Sequence, residues 1–240
     1  MLDAWLAEKG KLYTKDSLFR CDDACPRYGC RGELLVNVSL LEVCVQAKHL
    51  DRPVSEVFDR YCSTAPFVEH GLEAARVRFV VRKPCLFLDD AGYCAIYAAR
   101  PAACALFPEF LSLRADRADY VSGSNLSRYP CIEHFADVPE ARKDALTLLW
   151  SMHQKEIYAG EIYLFGRAGF TVDLREEVGR RRDGREAGVV PFSIQMDALH
   201  ASLRAGGWWN RIREGIEALD TPDGFGTLLS GMKIVEALNL

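Results

Sequence analysis

Three cysteines within a span of twenty residues constrain the fold of this chain more than any other feature. They lie in the stretch KPCLFLDDAGYCAIYAARPAACALFP, from Lys83 to Pro108, as Cys85, Cys94 and Cys104. Pro101 suits the first position of a helix, so we expect it to begin the turn that presents Cys104. Local geometry should therefore bring the three sulfur atoms together, and we expect the fold to hold thiolates around metal.

The residues between the first two of these cysteines predict a hairpin. Residues 86–88, Leu-Phe-Leu, are typical of a short strand. Residues 89–92, Asp-Asp-Ala-Gly, predict its turn, because aspartate begins turns and glycine accepts a positive φ. Residues 93–96 then predict the second strand of the hairpin, which carries Cys94 back towards Cys85.

Nine cysteines in 240 residues need an explanation. The N-terminal residues have no uninterrupted apolar core, so no signal peptide is expected. No later segment approaches the roughly 18 consecutive apolar residues of a membrane span. We therefore expect a cytoplasmic protein with reduced cysteines, which favours metal ligation or thiol chemistry over disulfides. A net charge of −4 excludes a general electrostatic attraction to nucleic acid or anionic membrane.

Two cysteines are better explained as buried apolar residues than as ligands. Cys44 lies on the apolar face of a predicted helix and Cys62 at the end of another, and free cysteine is commonly buried. His134 is a candidate nitrogen ligand, although a lone histidine is more often structural or solvated. The other seven cysteines lie beside proline, glycine or charged residues and are the candidate metal ligands: Cys21, Cys25, Cys30, Cys85, Cys94, Cys104 and Cys131.

Thiolates select soft metals, so zinc, copper(I) or an iron–sulfur cluster is expected rather than a hard cation. A zinc ion or a four-iron cluster takes four sulfur ligands. Seven candidates therefore predict either two sites or some cysteines with a supporting or redox role. The chain lacks the paired C-x2-C motifs of zinc fingers. A proline directly after a cysteine, as in Cys25-Pro26, is also found in the cysteine motifs of ferredoxins. Both features favour a 4Fe–4S cluster over zinc. Nearby basic residues either offset the thiolate charge or form ordinary salt bridges: Arg27, Arg31, Arg82, Lys83 and Arg100.

The sequence before the cysteine stretch predicts short strands and helices. Ser39 is typical of a helix N-cap, and Glu42 three residues later completes a capping box. Apolar spacing after Ser39 predicts a helix with Cys44 on its buried face. The predicted elements are an amphipathic helix over residues 1–18, a strand over 34–38, helices over 40–50 and 53–61, and a strand over 77–82.

The longest helix is predicted after Cys131, with Asp137 as its N-cap and Glu140 as the partner in a capping box. Trp150 and His153 lie off its apolar stripe and are candidates to face a partner or cleft, although core packing is the favoured role for Trp150. The predicted buried stripe consists of Ala141, Ala145, Leu148, Leu149 and Met152.

The last third of the chain divides into a charged stretch and a helical region. Residues 175–188, REEVGRRRDGREAG, predict an exposed linker or mobile loop. Helical patterning resumes over residues 195–203, 208–219 and 228–238. Taken together, the patterns predict an α+β fold, with a small metal-stapled sheet and hairpin core flanked by helices and followed by a helical C-terminal extension. The expected domains are a cysteine-cluster metal-binding domain (1–165), a charged linker or loop (166–190) and the helical extension (191–240).

With its cysteines placed, the chain resembles the CxxCxxCC or YkgJ-type cysteine-cluster family, which is described as a zinc- or iron-chelating domain. The most specific part reads Cys85-Leu-Phe-Leu, Gly92-Tyr-Cys94-Ala-Ile-Tyr97, Arg100-Pro101, Cys104 and Phe107-Pro108. The first cysteine group is looser, since Arg31 stands where the family has its last cysteine. The resemblance covers residues 19–164.

The resemblance implies a protein that binds a metal ion or cluster in a structural or redox role, with a protein partner. The alternative is a cluster-dependent protein-modifying enzyme, because relatives in this family include flagellin lysine N-methylases. This chain shows no Gly-rich strand-to-helix turn with a downstream acidic residue that would bind a nucleotide-like methyl donor.

Overall fold

The computed structural model describes residue 7 and residues 27–32, 34–68, 71–115, 117–122, 129, 131, 138–182 and 190–238. The predicted helix over residues 1–18 therefore lies outside the described residues, apart from residue 7. Cys21, Cys25 and His134 lie outside them as well.

The described residues form an α+β fold, as predicted, with a three-stranded antiparallel sheet in the order β1-β2-β3. The strands are β1 (Cys62–Val68), β2 (Ala75–Val81) and β3 (Thr171–Val172). The α-helices are α1 (Tyr28–Arg31), α2 (Leu40–Leu50), α3 (Val54–Tyr61), α4 (Ala102–Ala105), α5 (Arg117–Ser122), α6 (Glu140–Phe165), α7 (Arg175–Arg182), α8 (Phe192–Ala205), α9 (Trp208–Ala218) and α10 (Pro222–Ala237). Short 3-10 helices cover Tyr97–Ala99 and Glu109–Leu113.

Helix α2 begins with the predicted capping box. The Ser39 hydroxyl accepts a hydrogen bond from the Glu42 backbone N–H at 3.1 Å, and the Glu42 carboxylate accepts one from the Ser39 N–H at 2.9 Å. These bonds satisfy backbone donors that the first turn would otherwise leave unpaired. Asp51 ends the helix in a left-handed conformation, with φ at 52°. Both the cap and the extent of α2 confirm the sequence prediction.

Strand β1 pairs with β2 over its full length, from Cys62 opposite Val81 to Val68 opposite Ala75. The sequence did not predict β1, which contains a proline and follows directly on α3. The predicted strand over residues 34–38 is reduced to one antiparallel bridge, between Asn37 and Val80.

The longest helix, α6, begins at Glu140 with Pro139 as its N-cap, so the predicted capping box of Asp137 and Glu140 is wrong. The predicted buried stripe is also wrong in most of its members, and Leu148 is 54% exposed. The buried face of α6 instead carries many polar residues alongside its apolar ones: Arg142, Leu146, Leu149, His153, Glu156, Ile157, Ala159, Gly160, Glu161, Leu164 and Phe165. Because polar side chains are normally solvated, this face could not be recognised from apolar spacing.

Two buried ion pairs explain part of that polar face. The Arg142 guanidinium lies 2.5 Å from the Glu109 carboxylate. Arg78 on β2 pairs with Glu161, and both side chains are less than a tenth exposed. A buried charge is tolerated when a hydrogen-bonded partner of opposite sign is present.

The charged stretch that was predicted as a linker or loop is helical over Arg175–Arg182. Pairs such as Arg180 with Glu176, at 2.8 Å and four residues apart, support this helix. Val178 is only 3% exposed and anchors the helix to the core. This prediction was therefore wrong for residues 175–182, and residues 183–189 lie outside the described ranges.

The predicted C-terminal helices are present as α8, α9 and α10. One cluster of buried apolar side chains runs from Val36 to Val235 and includes residues of these helices. Helix α10 approaches α6 closely, since a Cβ added at Gly231 would lie 2.9 Å from the Ala159 carbonyl oxygen. Among the described residues, no helix is both long and apolar enough to cross a bilayer.

Candidate metal centre

The hairpin that carries Cys85 and Cys94 is closed by the predicted turn. The Asp89 N–H donates to the Tyr93 carbonyl at 2.9 Å, and the Asp89 carboxylate accepts from the Tyr93 N–H at 2.8 Å. Gly92 adopts a φ of 81°, which favours glycine. The strands themselves are shorter than predicted, with a single bridge between Leu88 and Cys94.

Cys30 is brought to this hairpin by backbone contacts. It lies on the short helix α1. The Cys85 N–H donates to the Cys30 carbonyl at 2.8 Å, and the Lys83 ammonium donates to the carbonyl of Gly29. Cys30 is thereby fixed to the start of the hairpin.

Cys104 lies on helix α4, which follows the hairpin in the chain. Pro101 is the N-cap of this helix, and its carbonyl accepts a hydrogen bond from the Cys104 N–H at 2.9 Å. The next residue, Ala102, donates its N–H to the Glu42 carboxylate at 2.6 Å. Helix α4 is therefore attached to α2, which holds Cys104 against the hairpin.

The four cysteines interact electrostatically. Burial raises the pKa of Cys104 well above its usual range; Lys83 lowers this pKa, while Cys30, Cys85 and Cys94 raise it further. Burial also raises the pKa of Cys94, with Cys85 among the smaller causes and Arg100 opposing it. Thiols in such a group resist ionisation individually, because each thiolate repels the next. A bound cation removes that penalty, so the donor set fits a soft metal centre.

The sulfur atoms are spread more widely than around one small ion. Among the described residues, no three cysteines have sulfur atoms that all lie within 4.8 Å of one another. The side chains that do meet this distance are Glu42, His153 and Glu156. Zinc–sulfur bonds of about 2.3 Å in a tetrahedron place the sulfurs about 3.8 Å apart.

Cys131 lies beside a different group of side chains. It packs against a small apolar cluster around Leu111 and Tyr129. Tyr129 also approaches the first cysteine segment, because a Cβ at Gly29 would lie 3.6 Å from a Tyr129 ring carbon. The apolar cluster that contacts Cys131 therefore also contacts the segment that carries Cys30.

Cys44 and Cys62 are buried apolar residues, as predicted, with exposures of 7% and 0%. Burial raises the pKa of each to about 12; Asp220 adds to the effect at Cys44, and Arg82 opposes it at Cys62. Both thiols are therefore neutral at physiological pH.

The sequence did not identify a second group of candidate ligands: Glu42, His153 and Glu156. Glu42 was recognised only as a capping residue, and the suggestion that His153 faces a partner or cleft is wrong because this side chain is 0% exposed. Burial lowers the pKa of His153, but Glu42 and Glu156 outweigh burial and raise it to about 9. The spacing of His153 and Glu156, three residues apart on one helix, was the available signal. Trp150 packs inside, stacked on Phe110 at 5.4 Å.

Comparison with known proteins agrees with the arrangement of the cysteines. Residues 20–125 match the CxxCxxCC family, whose description reads "Putative zinc- or iron-chelating domain". This segment is therefore similar to that family over less than half of the chain. The matched segment contains Cys30, Cys85, Cys94 and Cys104, as well as α2, and ends before Cys131. No curated protein and no solved structure matches the chain.

Proposed function

We propose that the segment of this chain that matches the CxxCxxCC family binds an iron–sulfur cluster, of the 4Fe–4S type, through Cys30, Cys85, Cys94 and Cys104. The observation that carries this proposal is the convergence of these four thiols from α1, the hairpin and α4. Four cysteines are the ligand set of a 4Fe–4S cluster, and also of a structural zinc ion.

The separation of the sulfurs supports the cluster over zinc. No three of these four described cysteines have sulfurs within 4.8 Å of one another, whereas one zinc ion would draw them to about 3.8 Å. A cluster places an iron atom at each thiolate and therefore accommodates a wider set. Burial raises the pKa of both Cys104 and Cys94, and the positive charges of Lys83 and Arg100 oppose that rise at Cys104 and Cys94, respectively.

Cys21 and Cys25 precede Cys30 in the same cysteine-rich segment, and the apolar cluster that contacts Cys131 also contacts Gly29 of that segment. We assign these three to a supporting role, either as ligands of a second centre or as thiols beside the first. Leu86, Tyr93 and Tyr97 are each more than half exposed around the hairpin, which supports a structural or redox role with a protein partner. The alternative of a cluster-dependent modifying enzyme stays a prediction from the resemblance.

Cysteine substitution tests the ligand assignment. Cys94→Ser and Cys104→Ser should each release metal and lower the free energy of unfolding, because metal binding and folding are coupled. Cys44→Ala is the matched control, since Cys44 is also buried but lies on α2 with a neutral thiol. Metal content per folded chain is measured by elemental analysis. Unchanged metal content in both serine variants would contradict the assignment.

A further inference from the structure

The described part of the chain contains a second set of convergent metal-ligand atoms, without sulfur. Glu42 from α2 meets His153 and Glu156 from α6, and one ligand atom from each lies within 4.8 Å of the other two. The His153 Nδ1 lies 3.5 Å from a Glu42 oxygen and 3.8 Å from a Glu156 oxygen. A single ion between these three groups would contact all of them.

His153 is a buried polar side chain that a bound ion would satisfy. It is 0% exposed, and neither of its ring nitrogens has a hydrogen-bond partner. Buried polar side chains in folded proteins are nearly always satisfied, because an unpaired donor or acceptor loses its hydration without compensation. The Nδ1 atom faces two carboxylate oxygens, so an ion at this position would satisfy it.

The two carboxylates are already fixed in position by hydrogen bonds. Glu42 accepts from the backbone N–H groups of Ser39 at 2.9 Å and Ala102 at 2.6 Å. Glu156 accepts from the Ser39 hydroxyl at 3.0 Å. Outer hydrogen bonds of this kind orient metal ligands and hold them at the distance that an ion requires.

We propose that Glu42, His153 and Glu156 bind one divalent transition-metal ion at a site separate from the cysteines. An imidazole with two carboxylates suits zinc, iron or manganese, whereas magnesium and calcium prefer oxygen ligands alone. The ion would bridge α2 and α6 and adjoin the start of α4, which carries Cys104.

Metal counting in four variants tests the site. Glu156→Gln and His153→Gln should each lose one equivalent of metal per chain while the cysteine-bound metal and its visible absorption stay unchanged. Cys85→Ser should show the opposite pattern. Leu149→Ala is the control for lost stability, because Leu149 is fully buried on α6 four residues before His153 and offers no ligand. If Glu156→Gln and His153→Gln retain all of the metal of the unsubstituted chain, the proposal is overturned.

A second measurement uses the unsubstituted chain and so does not depend on whether a variant folds. The full chain is treated with a chelator and titrated with Mn²⁺, which thiolates bind poorly. We expect one Mn²⁺ to bind tightly. The electron spin echo of the bound Mn²⁺ should be modulated by a nitrogen nucleus of the His153 imidazole. The absence of tight binding, or a bound Mn²⁺ without that nitrogen modulation, would show that the group is a protonated imidazole between carboxylates. The signal comes from an imidazole nitrogen and not from a thiolate, so this test distinguishes the failure of one proposal from failure of the other.

Discussion

The backbone N–H of Cys85 donates a 2.8 Å hydrogen bond to the carbonyl oxygen of Cys30. This bond joins two cysteine segments that are more than fifty residues apart in the chain. It holds the start of the hairpin against α1, so the thiols of the two segments are brought together by the backbone as well as by any bound metal.

Gly92→Ala should weaken the hairpin, because the turn holds Gly92 at a φ of 81°, where a side chain is strained. We expect the free energy of unfolding to fall by about 1 kcal/mol. Gly179→Ala is the matched control, since Gly179 lies inside α7 with open space around it and alanine favours helix. That control should gain about 0.5 to 1 kcal/mol. Urea denaturation measures the free energy of unfolding of both variants. Equal changes of the same sign in the two variants would contradict the role of the turn.

Glu161→Gln should be strongly destabilising because it leaves Arg78 as a buried charge without its carboxylate. Loss of one partner from a buried pair costs about 3 to 5 kcal/mol. The control is Glu140→Gln on the same helix, where Glu140 is 81% exposed and pairs with Lys143 at 3.0 Å. An exposed pair contributes less than about 1 kcal/mol. Thermal denaturation that gives similar losses for the two variants would contradict this prediction.

Asp220→Ala should destabilise α3 from a distant position in the sequence. The Asp220 carboxylate accepts hydrogen bonds from the Val54 N–H at 2.5 Å and the Ser55 hydroxyl at 2.6 Å, and so caps the start of that helix. Loss of a cap costs about 1 kcal/mol. Asp220→Asn, which keeps an acceptor oxygen, should retain much of the stability. Hydrogen exchange of the α3 amides measures the effect, and unchanged protection in Asp220→Ala would contradict it.

The stability of the protein should fall above pH 9 in part because of Cys44. Its pKa rises from 9.0 to about 12 on folding, mainly through burial. Between these values the unfolded chain loses the thiol proton and the folded chain keeps it, so unfolding is favoured as the pH rises. From pH 8 to pH 10, Cys44→Ala should therefore lose about 1.4 kcal/mol less stability than the unsubstituted chain. Equal losses in the two proteins would show that Cys44 ionises while folded.

Features set by neighbouring residues could be predicted from the sequence. The capping box of Ser39 and Glu42 lies within four residues, and the turn from Asp89 to Gly92 depends on the conformations that its own residues prefer. The resemblance of the Cys85 segment likewise indicated a metal-chelating domain that the family match supports.

Features that depend on distant partners could not be predicted. His153 and Glu156 are polar and would be assigned to a solvated face, yet they are buried because Glu42 and Ser39 reach them from another helix. The cap that Asp220 provides for α3 comes from 166 residues away. Strand β1 contains Pro66 and forms because β2 offers a complete partner. In each case the stabilising group belongs to another part of the chain.

The most direct test of the cysteine centre is an absorption spectrum of the full chain purified without oxygen, with iron, sulfide and zinc measured on the same sample. We predict a brown protein with a broad visible band and about four iron and four sulfide per chain, as a 4Fe–4S cluster requires. A colourless protein that contains stoichiometric zinc and no sulfide would contradict the cluster, and a protein without any cysteine-bound metal would contradict the cysteine metal centre itself.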